Sequence, residues 1–409
     1  MVSARITLRN AAGAALALGA AALLGACDLL LRVGQPDRYV DPHVSCEDGP
    51  CRCVGGFDDC DGDEDNGCET DLSGDPQNCG ACGNACDNGA CNGGSCACNE
   101  GFVDCDGNAS TGCEAEPAAD PKNCGACGHD CAGGLCVAGV CQPVTVGGLE
   151  DAESLAVADG FVYVARCSDP PVARVPADGG MVEIIGAAAG CAHLVAVTSE
   201  TALWATDDLV LWSSLGYLPT AMQLAMDTSP AKLFAASPTH VYWFDDDAAK
   251  PALVRVAIAG GAVETVAETT PTALTVDGDL AYWSDAKGIH AVPSDSLNIS
   301  DLSPMTARSL AVAGDTVFAA DAQGIVALSL AGGTATSIQT TAGAEAIAAD
   351  ATHVYWADTS DGTVRRVERD GAGLVVLSKG ESFATPPKIA LDDRAAYWIA
   401  GQKVRKVAK

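Results

Sequence analysis

An aromatic-centred pair recurs seven times in the C-terminal two thirds of the chain. The copies are Tyr163-Val164, Leu203-Trp204, Tyr242-Trp243, Tyr282-Trp283, Phe318-Ala319, Tyr355-Trp356 and Tyr397-Trp398, spaced by 40, 39, 40, 36, 37 and 42 residues. A period of this length means one supersecondary unit per repeat, with neighbouring units covering each other's apolar faces. Six residues before each first aromatic, a short apolar run ends, as in Leu155-Ala156-Val157, Leu274-Thr275-Val276 and Ile389-Ala390-Leu391. Turn residues such as Asp277-Gly278-Asp279 lie between run and pair, so each repeat opens as strand, turn, strand.

A third strand follows, as in Leu253-Val254-Arg255-Val256 and Thr363-Val364-Arg365-Arg366-Val367. A glycine turn such as Gly260-Gly261 then leads to a fourth, such as Leu374-Val375-Val376-Leu377. Four short strands in about 40 residues make a β-propeller blade. The seventh repeat stops after its third strand, Lys403-Val404-Arg405-Lys406-Val407, while Pro143-Val144-Thr145-Val146 precedes the first repeat as an orphan fourth strand. Pairing the two closes the ring and removes two exposed sheet edges. The expected fold class is all-β: a seven-bladed β-propeller over residues 142–409, preceded by a small disulfide-rich region.

In four repeats an acid follows the aromatic pair: Asp245, Asp285, Asp321 and Asp358. Tyr-Trp-x-Asp at this spacing resembles the Tyr-Trp-Thr-Asp propellers of lipoprotein-receptor type, which have six blades where seven copies are counted here. Arg166, Thr206 and Ala400 replace the acid in the other three repeats. The expected role of the aspartate is structural, accepting hydrogen bonds from backbone donors at a strand end. Acids cluster after the second strands, at Asp207, Asp208, Asp245, Asp246, Asp247, Asp285, Asp358 and Asp361. On one face they would form an acidic rim for a basic partner or for cations. The innermost runs hold no Asp, Glu or His, which leaves a central channel short of catalytic groups. His240 and His353 occupy matching Thr-His-Val-Tyr-Trp segments and read as repeat residues. No nucleophile elbow, phosphate loop or His-Glu-x-x-His segment is present.

Upstream the cysteines repeat. Cys53, Cys60, Cys68, Cys79, Cys82, Cys86, Cys91 and Cys96 recur 45 positions later as Cys98, Cys105, Cys113, Cys124, Cys127, Cys131, Cys136 and Cys141. Cys46 and Cys51 match Cys91 and Cys96 and belong to a truncated earlier unit. Asn78-Cys79-Gly80-Ala81-Cys82-Gly83 and Asn123-Cys124-Gly125-Ala126-Cys127-Gly128 keep the register. So short and polar a unit cannot bury enough apolar surface to hold itself together. Disulfides compensate at about 2–4 kcal/mol each, although eight cysteines allow 105 pairings. The Cys-x2-Cys pairs also have zinc spacing, but zinc would leave too many thiols unused. Cys167 and Cys191 fall in loops on one face of the propeller and can bridge. The run Asp59, Asp61, Asp63 and Asp65 alternates carboxylates as calcium loops do, without the Gly and Glu positions of an EF-hand. No cofactor is expected, with calcium there as the one candidate. The 45-residue unit resembles the Cys-rich repeats of surface lipoproteins from large-genome, myxobacterial-type bacteria.

The chain opens with Arg5 and Arg9, an apolar run over 14–26 and then Cys27. The run is too short to span a membrane and reads as a secretory signal. Its Leu24-Gly25-Ala26-Cys27 ending resembles the lipobox of bacterial lipoproteins, which implies cleavage and a lipidated Cys27. The expected organisation is a signal over 1–26, a linker over 27–45, cysteine repeats over 46–141 and the propeller. Without Cys27, 20 of the 21 cysteines remain, an even number for pairing. A formal net charge of -31 excludes nucleic acid as partner. The function expected is a non-enzymatic binding or adhesion propeller, anchored by lipid to the envelope, at the outer membrane or cell surface, with an unknown protein or glycan ligand. The alternatives are a propeller-type hydrolase or lyase using rim carboxylates and a metal, and a purely structural envelope protein.

Overall fold

A computed structural model describes residues 41–409 apart from 46–51, 64–66, 109–110, 187–189, 208, 215–220, 227–230, 247–249, 332–333 and 384–385. Cys27, Cys46, Cys51, Asp65, Asp208 and Asp247 therefore lie outside the described residues. Every regular element among those described is a β-strand. Contacts divide the chain into two compact units at Glu114 and Ala115, a division that falls inside the second cysteine repeat.

The larger unit contains seven four-stranded antiparallel sheets. Blade 1 comprises Ala152–Ala158, Phe161–Arg166, Val172–Pro176 and Glu183–Gly186, in that order outwards. Blades 2 to 6 repeat the pattern, with second strands Thr201–Ala205, His240–Asp245, Leu280–Asp285, Thr316–Ala320 and His353–Asp358. Blade 7 takes Ile389–Leu391, Ala395–Ala400 and Lys403–Ala408 from the end of the chain and its outermost strand, Val144–Glu150, from ahead of blade 1. Lys403 pairs with Glu150 and Arg405 with Thr145, across a bulge.

The aromatic pair explains why the blades stack. Successive side chains on a strand point to opposite faces, so the two residues serve two different junctions. Tyr355 packs into the core between blades 6 and 7, and Trp356 into that between blades 5 and 6. Tyr397 faces blade 1, together with Val146 and Leu149 of the closing strand, while Trp398 faces blade 6. The same alternation joins blades 1 to 2, 2 to 3, 3 to 4 and 4 to 5. All five motif tryptophans are buried, and their indole N–H groups have no hydrogen-bond partner among the described residues. Packing alone holds these rings. Each removes ~200 Å² from water, worth ~5 kcal/mol by area.

Two cysteine pairings of the second repeat, Cys124–Cys136 and Cys131–Cys141, belong to this unit and bury against blades 6 and 7. His129 Nε2 lies 2.9 Å from the Lys409 carbonyl oxygen in the same contact. Cys167 and Cys191 are also joined.

The smaller unit is held by Cys53–Cys68, Cys60–Cys82, Cys79–Cys91, Cys86–Cys96 and Cys98–Cys113. Three pairings of the first repeat thus recur 45 residues later. Cys105 and Cys127, the counterparts of Cys60 and Cys82, are both disulfide-bonded. The Asn-Cys-Gly-Ala-Cys-Gly segment has a local cause. Asn78 Oδ1 accepts the Gly83 N–H at 2.8 Å and Asn123 Oδ1 the Gly128 N–H at 2.9 Å. Gly80 and Gly125 both sit at φ 76°, where a Cβ would lie 2.5 and 2.7 Å from a glycine carbonyl oxygen.

Peptide mapping under non-reducing conditions is expected to recover Cys79–Cys91 and Cys86–Cys96 with their counterparts Cys124–Cys136 and Cys131–Cys141. Any other partner for these eight would contradict the pairing described here. Leu149 is 1 % exposed in the closing strand, so Leu149→Ala should cost 2–5 kcal/mol in urea unfolding, roughly the range for a core leucine.

Candidate functional site

The acids that follow the aromatic pair do not all lie on the surface. Asp285 and Asp358 are 3 % and 1 % exposed. Asp285 accepts from Thr269 Oγ1 at 2.7 Å, on the chain leaving blade 3, and from the Lys287 N–H at 2.7 Å. His290, on the third strand, lies between Asp285 (3.1 Å) and Asp301 (2.7 Å). Asp358 repeats the arrangement with Thr341, the Ser360 N–H and Arg365. These carboxylates clasp neighbouring blades, and an acidic rim that includes them is corrected accordingly. Burial pushes the Asp285 carboxyl up, but the bonds from Thr269, Lys287 and His290 outweigh it and hold it at about 2.

The remaining rim acids are engaged as well. Asp207 pairs with His193 at 2.9 Å, and Glu153 lies 3.5 Å from the same ring. Asp246 pairs with Lys232, and Asp361 with Arg365. Asp321 accepts the N–H groups of Gln323 and Gly324 at 2.7 and 3.0 Å. Inside the ring, an axial cavity of about 260 Å³ is lined by Val276, Leu310, Val312, Ile347, Ile389 and Leu391 among others. The innermost strands run beyond their apolar cores, so Glu153 and Glu345 at the entry end and Asp277 at the far end do lie within them. Glu345 is paired there with Arg308.

The other ends of the strands carry basic residues whose role the sequence pattern did not reveal. Arg174, Arg255, Arg366 and Lys406 stand opposite Tyr163, Tyr242, Tyr355 and Tyr397 on the third strands. A cation opposite the motif tyrosine in four of seven repeats was the available signal. Lys406 Nζ donates to the Ala177 carbonyl of blade 1 at 2.6 Å, and Arg255 donates to carbonyls of blade 4. Where the first turns of blades 6 and 7 meet, a basin of about 450 Å³ opens. Its lining includes Asp350, Thr352, His353, Tyr355, Arg366, Asp393 and Lys409. Lys409 Nζ lies 2.7 Å from Asp350 Oδ2. Burial pushes the Asp350 carboxyl up, yet the Lys409 ammonium and the N–H groups of Thr352 and His353 bring it well below the usual range. Burial pushes the Tyr355 phenol up to about 12, and burial followed by the Arg366 charge pushes His353 down.

In the cysteine repeats, Asp59 and Asp61 converge with Glu69, their carboxylate oxygens lying within 4.8 Å of one another. Asp63 stands next in the turn, its N–H bonded to Asp61 at 2.9 Å. Asp104, Asp106 and Glu114 repeat the group 45 residues on. The glutamate was legible only from its place in the repeat register. Three oxygens are half or fewer of those calcium takes, and backbone N–H groups already use them. Gly62 and Gly107 donate to Asp59 and Asp104 at 2.7 and 2.6 Å, and Cys60 and Cys105 to the two glutamates at 3.1 Å. In the second copy the Thr111 hydroxyl adds contacts of 3.2 Å to Asp106 and Glu114.

No family model matches this sequence, and no curated protein does. Among solved structures, the propeller domain of Cps50 (Swd1) from Myceliophthora thermophila aligns with 65 % of this chain and 99 % of its own at 12 % identity, with a TM-score of 0.50. A chain of the mitotic checkpoint complex aligns with 66 % and 93 % at 13 % identity and a TM-score of 0.50. A chain of a nidogen/laminin complex covers 45 % of this chain and 77 % of its own at 17 % identity, with a TM-score of 0.36. At such identities the first two likenesses are of fold alone.

The depressed Asp285 pKa makes a pH prediction. The folded value lies below the ordinary 3.8, so its stabilisation is complete above about pH 4 and is lost as pH falls towards 2. Asp285→Asn should lower stability by about 2 kcal/mol at pH 7 and by almost nothing at pH 2, measured by thermal unfolding across that range.

Proposed function

We propose that this chain is an exported envelope protein, lipid-anchored through Cys27, in which a disulfide-stapled module carries a non-enzymatic binding propeller. The observation that carries the binding reading is how the propeller's charged groups are used. Buried Asp285, Asp358, Arg255 and Lys406 tie blades together, and the rim acids Asp207, Asp246, Asp321 and Asp361 are each engaged by protein donors. A metal-dependent hydrolase or lyase would have to draw on those carboxylates. What stays open is a recess between blades, the usual form of a ligand site.

The export reading draws on the cross-links. Disulfides at this density belong to an oxidising compartment. Among the described residues no helix is long and apolar enough to cross a membrane; in this reading the attachment is lipid on Cys27. Several acyl chains on one cysteine hold far more firmly than one, at ~0.8 kcal/mol per buried methylene. A module closed by loops of 10 to 22 residues resists unfolding outside the cell and suits a stalk.

Membrane fractionation tests the anchor. Cys27→Ser should move the protein from the membrane pellet to the soluble fraction with an unchanged thermal unfolding profile. Retention of the variant in the pellet would sink the anchoring reading.

A further inference from the structure

Blades 3 and 6 share a five-residue segment, Thr-His-Val-Tyr-Trp, at 239–243 and 352–356. They also share the third-strand arginine opposite its tyrosine, Arg255 and Arg366. The local geometry agrees: each threonine hydroxyl contacts its histidine Nδ1, at 3.0 and 2.8 Å. Each imidazole also tilts against its tyrosine, with ring centres 6.3 and 6.0 Å apart.

The two copies part at the outer strand. Register sets Glu264 against Arg255 but Val375 against Arg366. Glu264 accepts from Arg255 Nε at 2.9 Å, and the Pro293, Ser294 and Ser296 carbonyls accept from its NH1 at 2.9–3.2 Å. Arg255 is thereby sealed, at 4 % exposure. Blade 1 follows blade 3, with Glu183 on Arg174 at 2.7 Å. In blade 6, no carboxylate reaches Arg366 among the described residues, and its Nε is buried without a hydrogen-bond partner. A guanidinium so placed is costly unless a carboxylate meets it, and its planar fork favours bidentate carboxylates. The basin of about 450 Å³ opens on this group.

We infer that the basin binds a small carboxylate-bearing, polyhydroxylated ligand, an acidic sugar, whose carboxylate takes the place on Arg366 that Glu264 and Glu183 fill in blades 3 and 1. The inference deepens the binding reading and rests on it. Lys409 is neutralised by Asp350 at 2.7 Å, which leaves Arg366 as the anion anchor. The rest of the lining is polar: the Thr352 hydroxyl, the His353 imidazole and the exposed Asp393 carboxylate suit ring hydroxyls rather than an apolar body. The volume falls within the usual span of small-ligand pockets, ~300–1,000 Å³.

The test is a calorimetric titration of the full chain in detergent with sodium glucuronate, with glucose and acetate as separate arms. Glucuronate should bind, glucose should not, and acetate should bind more weakly. Val375→Glu supplies the acid found in blades 1 and 3 and should weaken glucuronate about thirtyfold or more, with thermal unfolding as the check that it folds. Arg366→Gln should do the same. Two results would overturn the site: no glucuronate binding at millimolar concentration, or binding that both variants leave unchanged. Glucose binding as tightly as glucuronate would also overturn it, because the carboxylate would then be doing nothing. If glucuronate fails while the full chain still retains envelope material in a pull-down, the basin falls and the binding propeller stands; if neither is retained, both readings fall.

Discussion

A four-stranded sheet with apolar residues on both faces has no stable existence in water until both faces are covered. That constraint organises the propeller. Each blade covers one face of the next, and the last uncovered faces disappear only when blade 7 meets blade 1. The core between those blades contains Val146 and Leu149 from the strand ahead of blade 1, packed with Tyr397, Ile399, Val162 and Val164. Backbone pairing of Val144–Glu150 with Lys403–Ala408 makes the closure a matter of hydrogen bonds as well as burial. The ring is therefore cooperative by construction, since no junction differs in kind from the closing one.

Charge is distributed in a way that complements this packing. The chain has 23 basic residues against 54 acids, and several of the basic ones work inside the ring. Arg255 and Lys406 cap carbonyls of the following blade, while Arg308 pairs with Glu345 across two blades. Removing cations from the surface leaves the excess of acid outside, which keeps such a protein soluble and self-repelling. Against that background, a half-buried arginine without its acid is informative, because among the described residues its counterparts Arg174 and Arg255 each have a glutamate.

Much of the fold was legible from local pattern. The spacing of Tyr163, Leu203, Tyr242, Tyr282, Phe318, Tyr355 and Tyr397 carries blade number directly, because an aromatic pair on a period-2 strand must fill two junctions. Disulfide connectivity was not legible, since repetition sets which cysteines are equivalent and leaves their partners open. The role of Asp285 and Asp358 was half legible: their position at a strand end implied hydrogen bonding to backbone, but not the threonine of the preceding blade, 16 and 17 residues away. Glu69 and Glu114 lay outside the acidic run that drew attention to calcium, and only the fold of the turn brings them beside Asp59 and Asp104. Val375 is the hardest case. A valine in a strand is unremarkable by itself and acquires meaning only when register sets it where Glu264 stands in blade 3.

Closure by the strand ahead of blade 1 is the central structural claim, and amide hydrogen exchange tests it most directly. If the ring closes as described, amides of Val144–Glu150 that pair with Lys403–Ala408 will exchange only through global unfolding, as slowly as those of the buried second strands. Exchange of that segment at unprotected rates, with the second strands still protected, would contradict the closed ring.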